Sequence, residues 1–464
     1  MATLDKQLIN EFNSTRHNPK YLCNAPFCSM YFSMSGQVSP CCRNTTLHDV
    51  YPQHSLKDIW NGAVFKEYRK NIKSNFLADS CSFCEGRLRN KDFENIIIHQ
   101  YDLDIFKIKK LGKNNIQSVH IALGNTCNLK CIMCNEMFSS QYENVDTYNR
   151  AKIYDDKFVE ELLKLAPDLK ELICYGGETF LIEDFYKIWE RIINVNPTCK
   201  ISILTNGTIW NDRVENILKR GNFSINFSCD SITKSTYEQI RRNANFETTM
   251  QNLDRYANIM KSQGKRLQML ALGLKANCKE IPDIVRFCNE KELGMVFLTI
   301  VRAMDVALWD LPSEELKDLK EFYKQQKISA FDENSKENLR RYNIFVSNMD
   351  LWIADAQRKE NFKNIFDLKS NMVGELKKHL FEELEKEIKV LSCDEADFAK
   401  RKNFIETKFN GIMNSLPDYF DTNHFYNLLN KMSPNIIIEH LELCNSNSVA
   451  KIFEELFFYC GVAH

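Results

Sequence analysis

Residues 118–134 read SVHIALGNTCNLKCIMC, a short β-rich run that turns directly into three cysteines, Cys127, Cys131 and Cys134. Three residues and then two separate them, so three thiols stand on one tight loop. Thiolates in that arrangement suit soft-metal chemistry, an iron–sulfur cluster or zinc. Three ligands leave a four-iron cluster one short, with one iron open to an outside ligand. Zinc would want a fourth Cys or His close by, and His120 is poorly placed because it lies within the strand.

Around this stretch the chain alternates strands and helices. Further β-rich runs are ELICYG (171–176), KISILTN (200–206), FSINFSC (223–229), RLQMLALGL (266–274) and MVFLTIV (295–301). Helical patterns lie between them at 155–166, 183–195, 211–220, 246–263 and 281–292. Six strands with helices between them predict parallel βα units, open or closed into a barrel.

The remainder bounds the answer. The chain has 464 residues, against about 150 for one domain, so two or three domains are expected. A net charge of −1, from 61 basic and 62 acidic residues, argues against long-range attraction to nucleic acid. No run approaches the ~20 apolar residues of a membrane helix, and the first residues lack the apolar core of a secretory signal. The expected compartment is therefore the cytoplasm, where 17 cysteines point to metal ligands or catalytic thiols rather than disulfides. Cys174, Cys199, Cys229, Cys278, Cys288, Cys393, Cys444 and Cys460 are scattered singly and read as small buried hydrophobes. Cys229 is expected to face the outer helices if Ser228 and Asp230 point inward.

Residues 1–105 form a Cys-rich module, 106–309 the βα core, and 310–464 a helical region that lids the core or, alternatively, dimerises. Within the module, SLKDIWNGAVFKEYRKNI reads as one amphipathic helix.

The three-cysteine loop after a first strand resembles the radical S-adenosylmethionine (SAM) superfamily, whose core is a partial (βα)6 TIM-like barrel. The resemblance continues along the chain in order. It covers Gly176-Gly177-Glu178 after strand two, Thr205-Asn206-Gly207 after strand three, Ser228-Cys229-Asp230 after strand four, and then Tyr237-Glu238-Gln239-Ile240-Arg241-Arg242. It implies that Cys127, Cys131 and Cys134 hold a 4Fe–4S cluster whose open iron takes SAM. Gly176, Gly177 and Glu178 would meet the methionine ammonium, Asn206 would lie at the cofactor, and Ser228 and Asp230 would lie near the ribose. Arg241, or its neighbour Arg242, would pair with the methionine carboxylate. Met133 stands where the family often has an aromatic beside the adenine.

The second cluster contains Cys23, Cys28, Cys41, Cys42, Cys81 and Cys84. With the text PFCSMYFSMSGQVSPCCR, SLKDIWNG and CSFCEGR it resembles the SPASM/Twitch auxiliary-cluster domains, here placed before the core rather than after it. That resemblance implies a second 4Fe–4S cluster on Cys23, Cys41, Cys81 and Cys84, with Cys42 an alternative to Cys41 and Cys28 left to packing. A structural zinc site closed by Cys-x2-Cys is the competing account.

The family chemistry implied is reductive cleavage of SAM, with an electron donor such as flavodoxin or ferredoxin, followed by hydrogen abstraction from a substrate. A peptide or protein is the first substrate class and a small-molecule alcohol or sugar the second. A non-catalytic metal-binding module is the reading from another class, and the intact three-cysteine loop argues against it.

Overall fold

The computed structural model describes residues 4–16, 19–44, 49–89, 91–94, 96–102, 116–135, 138–142, 153–298, 304–367, 372–392 and 394–414, with Tyr426, Leu429 and Ile437 beyond them. The expected boundary near residue 105, the end of the last β-rich run, Cys393, Cys444 and Cys460 lie outside the described residues.

The strands are β1 (Ser29–Phe32), β2 (Gln37–Ser39), β3 (Asp49–Val50), β4 (Ser118–Ala122), β5 (Glu171–Tyr175), β6 (Lys200–Thr205), β7 (Phe223–Ser228), β8 (Gln268–Leu272) and β9 (Gly294–Leu298). They form one sheet in the order β3-β2-β1-β4-β5-β6-β7-β8-β9. From β4 to β9 every neighbouring pair is parallel, joined by helical crossovers as the sequence pattern requires. This is the expected partial barrel of six βα units.

Strand β7 shows why the sheet is two-faced. Phe223, Ile225 and Phe227 are buried on one side, while Ser224, Asn226 and Ser228 alternate on the other. The aromatic face meets the surrounding helices. Phe223 packs edge-on against Trp189 of helix Glu183–Val195, and Phe227 against Tyr256 of helix Phe246–Ser262. The serine and asparagine face lines the barrel interior. Capping side chains start the helices where the sequence places them. Asp155 accepts from Phe158 N at 3.0 Å, and Asn211 from Val214 N at 3.0 Å.

The Cys-rich module is not a separate bead. Its strand β1 pairs in parallel with β4, Tyr31 opposite His120, and so extends the barrel sheet at its first edge. Strands β1 and β2 form an antiparallel hairpin that turns at Gly36, whose φ is +82°. The single helix expected after it is two helices, Leu56–Asn61 and Ala63–Lys73. Gly62 between them is extended (ψ 174°), which interrupts the i→i−4 ladder.

At the other edge, side chains take the place of a further strand. Asn338 Oδ1 accepts from Met295 N at 2.8 Å, Arg341 donates to Met295 O at 2.9 Å, and Asn334 donates to Leu293 O at 2.8 Å. The first half of β9 thereby has partners for its edge groups. The chain divides into compact units at Ile353/Ala354 rather than near residue 310, so residues 310–353 belong with the barrel. Their Lys/Glu/Leu-rich composition matches that of residues 354–464, so composition could not mark this break. In the second unit, helices Met372–Leu391 and Glu395–Asn414 bury Leu380, Leu384 and Ile388, and Ile405 and Phe409, respectively.

Candidate active site

The cysteine loop leaves the C-terminal end of β4 and is tied down by its neighbours. Lys130 N donates to Arg242 O at 3.0 Å and Ile132 N to Ile240 O at 2.9 Å. Ser140 N donates to Asn125 O at 2.8 Å, and Cys127 N to Ser140 Oγ at 3.1 Å. The three thiols are mutual electrostatic neighbours: Cys127 acts on Cys131, and both act on Cys134. Burial pushes Cys131 up to about 11 and Cys134 up to about 12, and raises Cys127. Without metal these thiols stay protonated near neutral pH, so a ligated cluster must displace their protons. Met133 sits partly exposed in the turn between Cys131 and Cys134.

The Gly-Gly-Glu segment packs directly on this loop. Gly177 N donates to Gly124 O at 2.9 Å and Glu178 N to Thr126 O at 2.7 Å. A Cβ on Gly177 would fall 2.2 Å from Thr126 O, and one on Gly176 2.4 Å from Gly124 O. Glycine is required here first by the backbone of the cysteine loop itself. Glu178 is fully buried, and its carboxylate accepts from Asn206 N (2.6 Å), Thr205 Oγ1 (2.7 Å) and Phe180 N (3.1 Å). Burial raises its pKa, and these donors partly offset that. The carboxylate is therefore a strap between β5 and β6, which leaves the segment's backbone carbonyls to meet an ammonium. Asn206 is buried and donates to Asn128 Oδ1 at 3.0 Å and toward Cys127 Sγ at 3.9 Å. Sequence reasoning does not single out Thr205 or Asn128; for Thr205 the only signal is its place inside the Thr-Asn-Gly motif.

Asp230 and Arg241 come together. Arg241 Nη2 lies 2.6 Å from Asp230 Oδ2, a buried ion pair. Asp230 Oδ1 accepts from Leu272 N at 2.8 Å. Burial disfavours the Arg241 charge, but Asp230 foremost and then Cys131 outweigh it and hold the guanidinium above its usual range. Arg241 Nε is left buried without a hydrogen-bond partner, while Asp230 Oδ2 is held by the guanidinium. A buried orphan donor calls for an acceptor. A ligand carboxylate suits the Arg241 Nε, so the residues present fit the methionine end of SAM. Ser228 ends the interior face of β7, half-buried. Cys229 is buried and donates to Ser231 O at 3.1 Å, with Cys288 of helix Ile281–Glu290 for a neighbour.

The second group of thiols lies in the N-terminal module. Cys23, Cys41, Cys81 and Cys84 act on one another electrostatically in all pairings. Burial pushes Cys23 and Cys81 up to about 12 and raises Cys41 and Cys84 further. An apolar pocket lies between Cys23, Cys41 and Cys81, walled by Pro26, Pro40 and Ile72. Cys42 neighbours Cys41 and the Tyr175 side chain, and is not among the groups that act on Cys23, Cys81 or Cys84. Cys28 is fully buried and donates to Asn24 O at 3.3 Å. Among the described residues no three ligand side chains close on a single ion. Tyr175 OH also meets His120 Nδ1 at 3.1 Å, so Cys42, Tyr175 and His120 form a chain from the module to the barrel interior. Tyr175 is legible in the sequence only as the inward position before the two glycines.

Fold and site together define an iron–sulfur protein built on a partial βα barrel, with a three-thiol loop at the strand ends and a four-thiol module on the first edge. Family comparison agrees in both places: the radical SAM superfamily matches residues 121–288, and the SPASM iron–sulfur cluster-binding domain matches residues 23–85. These matches support a radical SAM enzyme with a SPASM domain. These domains bring a core 4Fe–4S cluster, an auxiliary iron–sulfur cluster and SAM.

Among curated relatives, GTP 3′,8-cyclase of Synechocystis sp. is 26% identical over 188 residues, 40% of this chain and 55% of that protein. GTP 3′,8-cyclase of Desulforamulus reducens is 23% identical over 201 residues, 42% of this chain and 58% of that protein. The chain thus spans little more than half the length of these relatives. Among solved structures, SuiB of Streptococcus suis bound to S-adenosylmethionine is 18% identical, covers 53% of this chain and 58% of that one, and has a TM-score of 0.35. The protein anSMEcpe with bound AdoMet is 20% identical, covers 45% and 60%, and has a TM-score of 0.34. Among the described residues no helix is long and apolar enough to cross a membrane.

Proposed function

We propose that this enzyme cleaves SAM reductively and uses the product to abstract a hydrogen atom from a substrate. When bound, the core cluster supplies the electron that splits SAM into methionine and a 5′-deoxyadenosyl radical. The chain's own residues position that cofactor. Cys127, Cys131 and Cys134 ligate the cluster, and Asn206 steadies Cys127. The carbonyls at Gly176 and Gly177 receive the methionine ammonium, Arg241 its carboxylate, and Ser228 and Asp230 the ribose. Met133 packs by the adenine. Cys23, Cys41, Cys81 and Cys84 hold the auxiliary cluster next to the barrel interior, placed to exchange an electron with a substrate held there.

The observation that carries this reading is the convergence of three neighbouring thiols, the glycine pair and the Asp230–Arg241 pair with its orphaned Arg241 Nε at one end of the sheet. Anaerobic reconstitution with iron, sulfide and SAM, followed by assay for 5′-deoxyadenosine, tests it. Product that persists when the three core cysteines are all changed to Ala would overturn it.

A peptide or protein is the proposed substrate class, on the resemblance of the four-cysteine module to SPASM/Twitch enzymes. A small molecule is the second reading, favoured by the curated relatives, which are named for GTP cyclisation. The electron donor is a flavodoxin- or ferredoxin-like protein, and the compartment is the cytoplasm, in keeping with described cysteines that are all free of disulfides.

A further inference from the structure

Tyr101 ends a short helical turn, Ile97–Tyr101, and is buried. It forms a small apolar cluster with Ala25 and Cys28, and Cys23 and Cys41, two of the four auxiliary thiols, pack against that cluster. Its ring stacks on His120 of β4, with centroids 6.0 Å apart and planes 25° from parallel. The backbone holds it there. Tyr101 O accepts from Asn24 Nδ2 at 3.2 Å, and Arg16 grips the next residue, Asp102, through two bonds of 2.6 and 2.7 Å. The Tyr101 hydroxyl is nevertheless sealed from solvent with no hydrogen-bond partner. A buried O–H left this way is unfavourable, so an acceptor is expected for it.

The surroundings say what that acceptor is. Of the ionisable groups about the hydroxyl, Cys41 acts on it most strongly, ahead of Cys42, Tyr175 and Cys23. As thiols these sulfurs are weak acceptors. Cluster binding converts its ligands to thiolates, and negative charge then appears beside an O–H that has no other use. A substrate in the barrel is a poorer candidate, because solvent does not reach this hydroxyl. A hydrogen bond to a cluster sulfur stabilises the reduced, more negative state and so raises the reduction potential. We propose that the Tyr101 hydroxyl donates to sulfur at the Cys41 corner of the auxiliary cluster and raises the potential of that cluster. This rests on the reading of the module as a cluster site.

The test is an EPR-monitored redox titration of the full-length, cluster-loaded protein. The auxiliary signal is the one that survives when Cys127, Cys131 and Cys134 are changed to Ala. Tyr101→Phe keeps the ring and removes only the O–H. It should shift the reduction equilibrium about tenfold toward the oxidised form, ~59 mV more negative for one electron. In deuterated buffer, pulsed EPR of the reduced auxiliary cluster should show one exchangeable deuteron fewer in this variant than in the parent. A parental potential in Tyr101→Phe with its irons retained overturns the inference, and so does an undiminished set of deuteron couplings. A fluorotyrosine placed at position 101 alone makes the O–H a stronger donor and should move the potential the other way. If Tyr101→Phe cannot hold the cluster, an unmoved potential in the fluorinated protein overturns the inference equally. A parent chain that takes up no auxiliary iron would instead defeat the reading of the module, and that appears as missing iron rather than as an unmoved potential.

Discussion

Arg241 and Asp230 face each other at 2.6 Å in a buried position, with the Arg241 Nε left without a hydrogen-bond partner. Taken as sequence motifs, each has its own contact with SAM. In the folded chain they also hold one another, so neither can be altered without stranding the other.

Arg241→Ala should therefore do two things. Removing one partner of a buried pair costs about 3–5 kcal/mol, so the denaturation midpoint should fall well below the parent's. SAM affinity, measured by anaerobic equilibrium dialysis, should fall as well. A variant with parental stability and parental affinity would show that the pair serves neither purpose.

Gly177→Val gives a different outcome from the one the motif alone suggests. As a SAM contact, Gly177 would tolerate the change with the cluster intact. Its Cβ would instead strike Thr126 O and Asn125 O, at 2.2 and 2.5 Å, within the cysteine loop. We expect the loaded protein to drop from about eight irons, two four-iron clusters, to about four. Eight irons with weakened SAM binding would restore the simpler account.

Cys41 and Cys42 should separate cleanly. Cys41→Ser should lose the auxiliary cluster and retain about four irons, whereas Cys42→Ser should keep about eight. The reverse pattern would mean that the two adjacent thiols exchange places when metal binds.

His120 offers a pH test. Burial holds its pKa down to about 3, and its ring nitrogens bond to Tyr175 and Ser118. A depressed pKa on a base means that the neutral form is the one the fold accepts. Its contribution is present above the unfolded value near 6.5 and is lost as pH falls from there toward 3. Stability should decline between these limits with a slope from this group approaching ~1.4 kcal/mol per pH unit. His120→Asn should flatten that slope in unfolding measurements from about pH 7 to 4, and an unchanged slope would remove His120 as its source.

Truncation should respect the compact units. A chain ending at Ile353 should stay soluble and bind its clusters. One ending at Met304 loses Asn338 from the edge of β9 and Tyr323 from Cys278 O, and should aggregate. Equal behaviour of the two would deny residues 310–353 their place on the barrel. Sizing the full-length protein against the longer truncation tests the dimerisation alternative for the remainder.

What the sequence determined was periodic or local. Strands at 118–122, 171–175, 200–205 and 223–228 come from alternation and flanking helices, because side-chain parity and helical repeat are properties of neighbouring residues. The three-cysteine loop, the paired glycines and the Cys-x2-Cys were legible for the same reason. Tertiary structure decided what spans long separations. It made β1 the barrel's extra strand and turned Cys42 toward Tyr175 while Cys41 joined the distant thiols. It spent the Glu178 carboxylate on β6 and set Asp230 against Arg241. Spacing says which residue types are near in the chain, but a one-residue rotation of the backbone decides whether a thiol faces a cluster or a tyrosine. Only the packed neighbours fix that rotation.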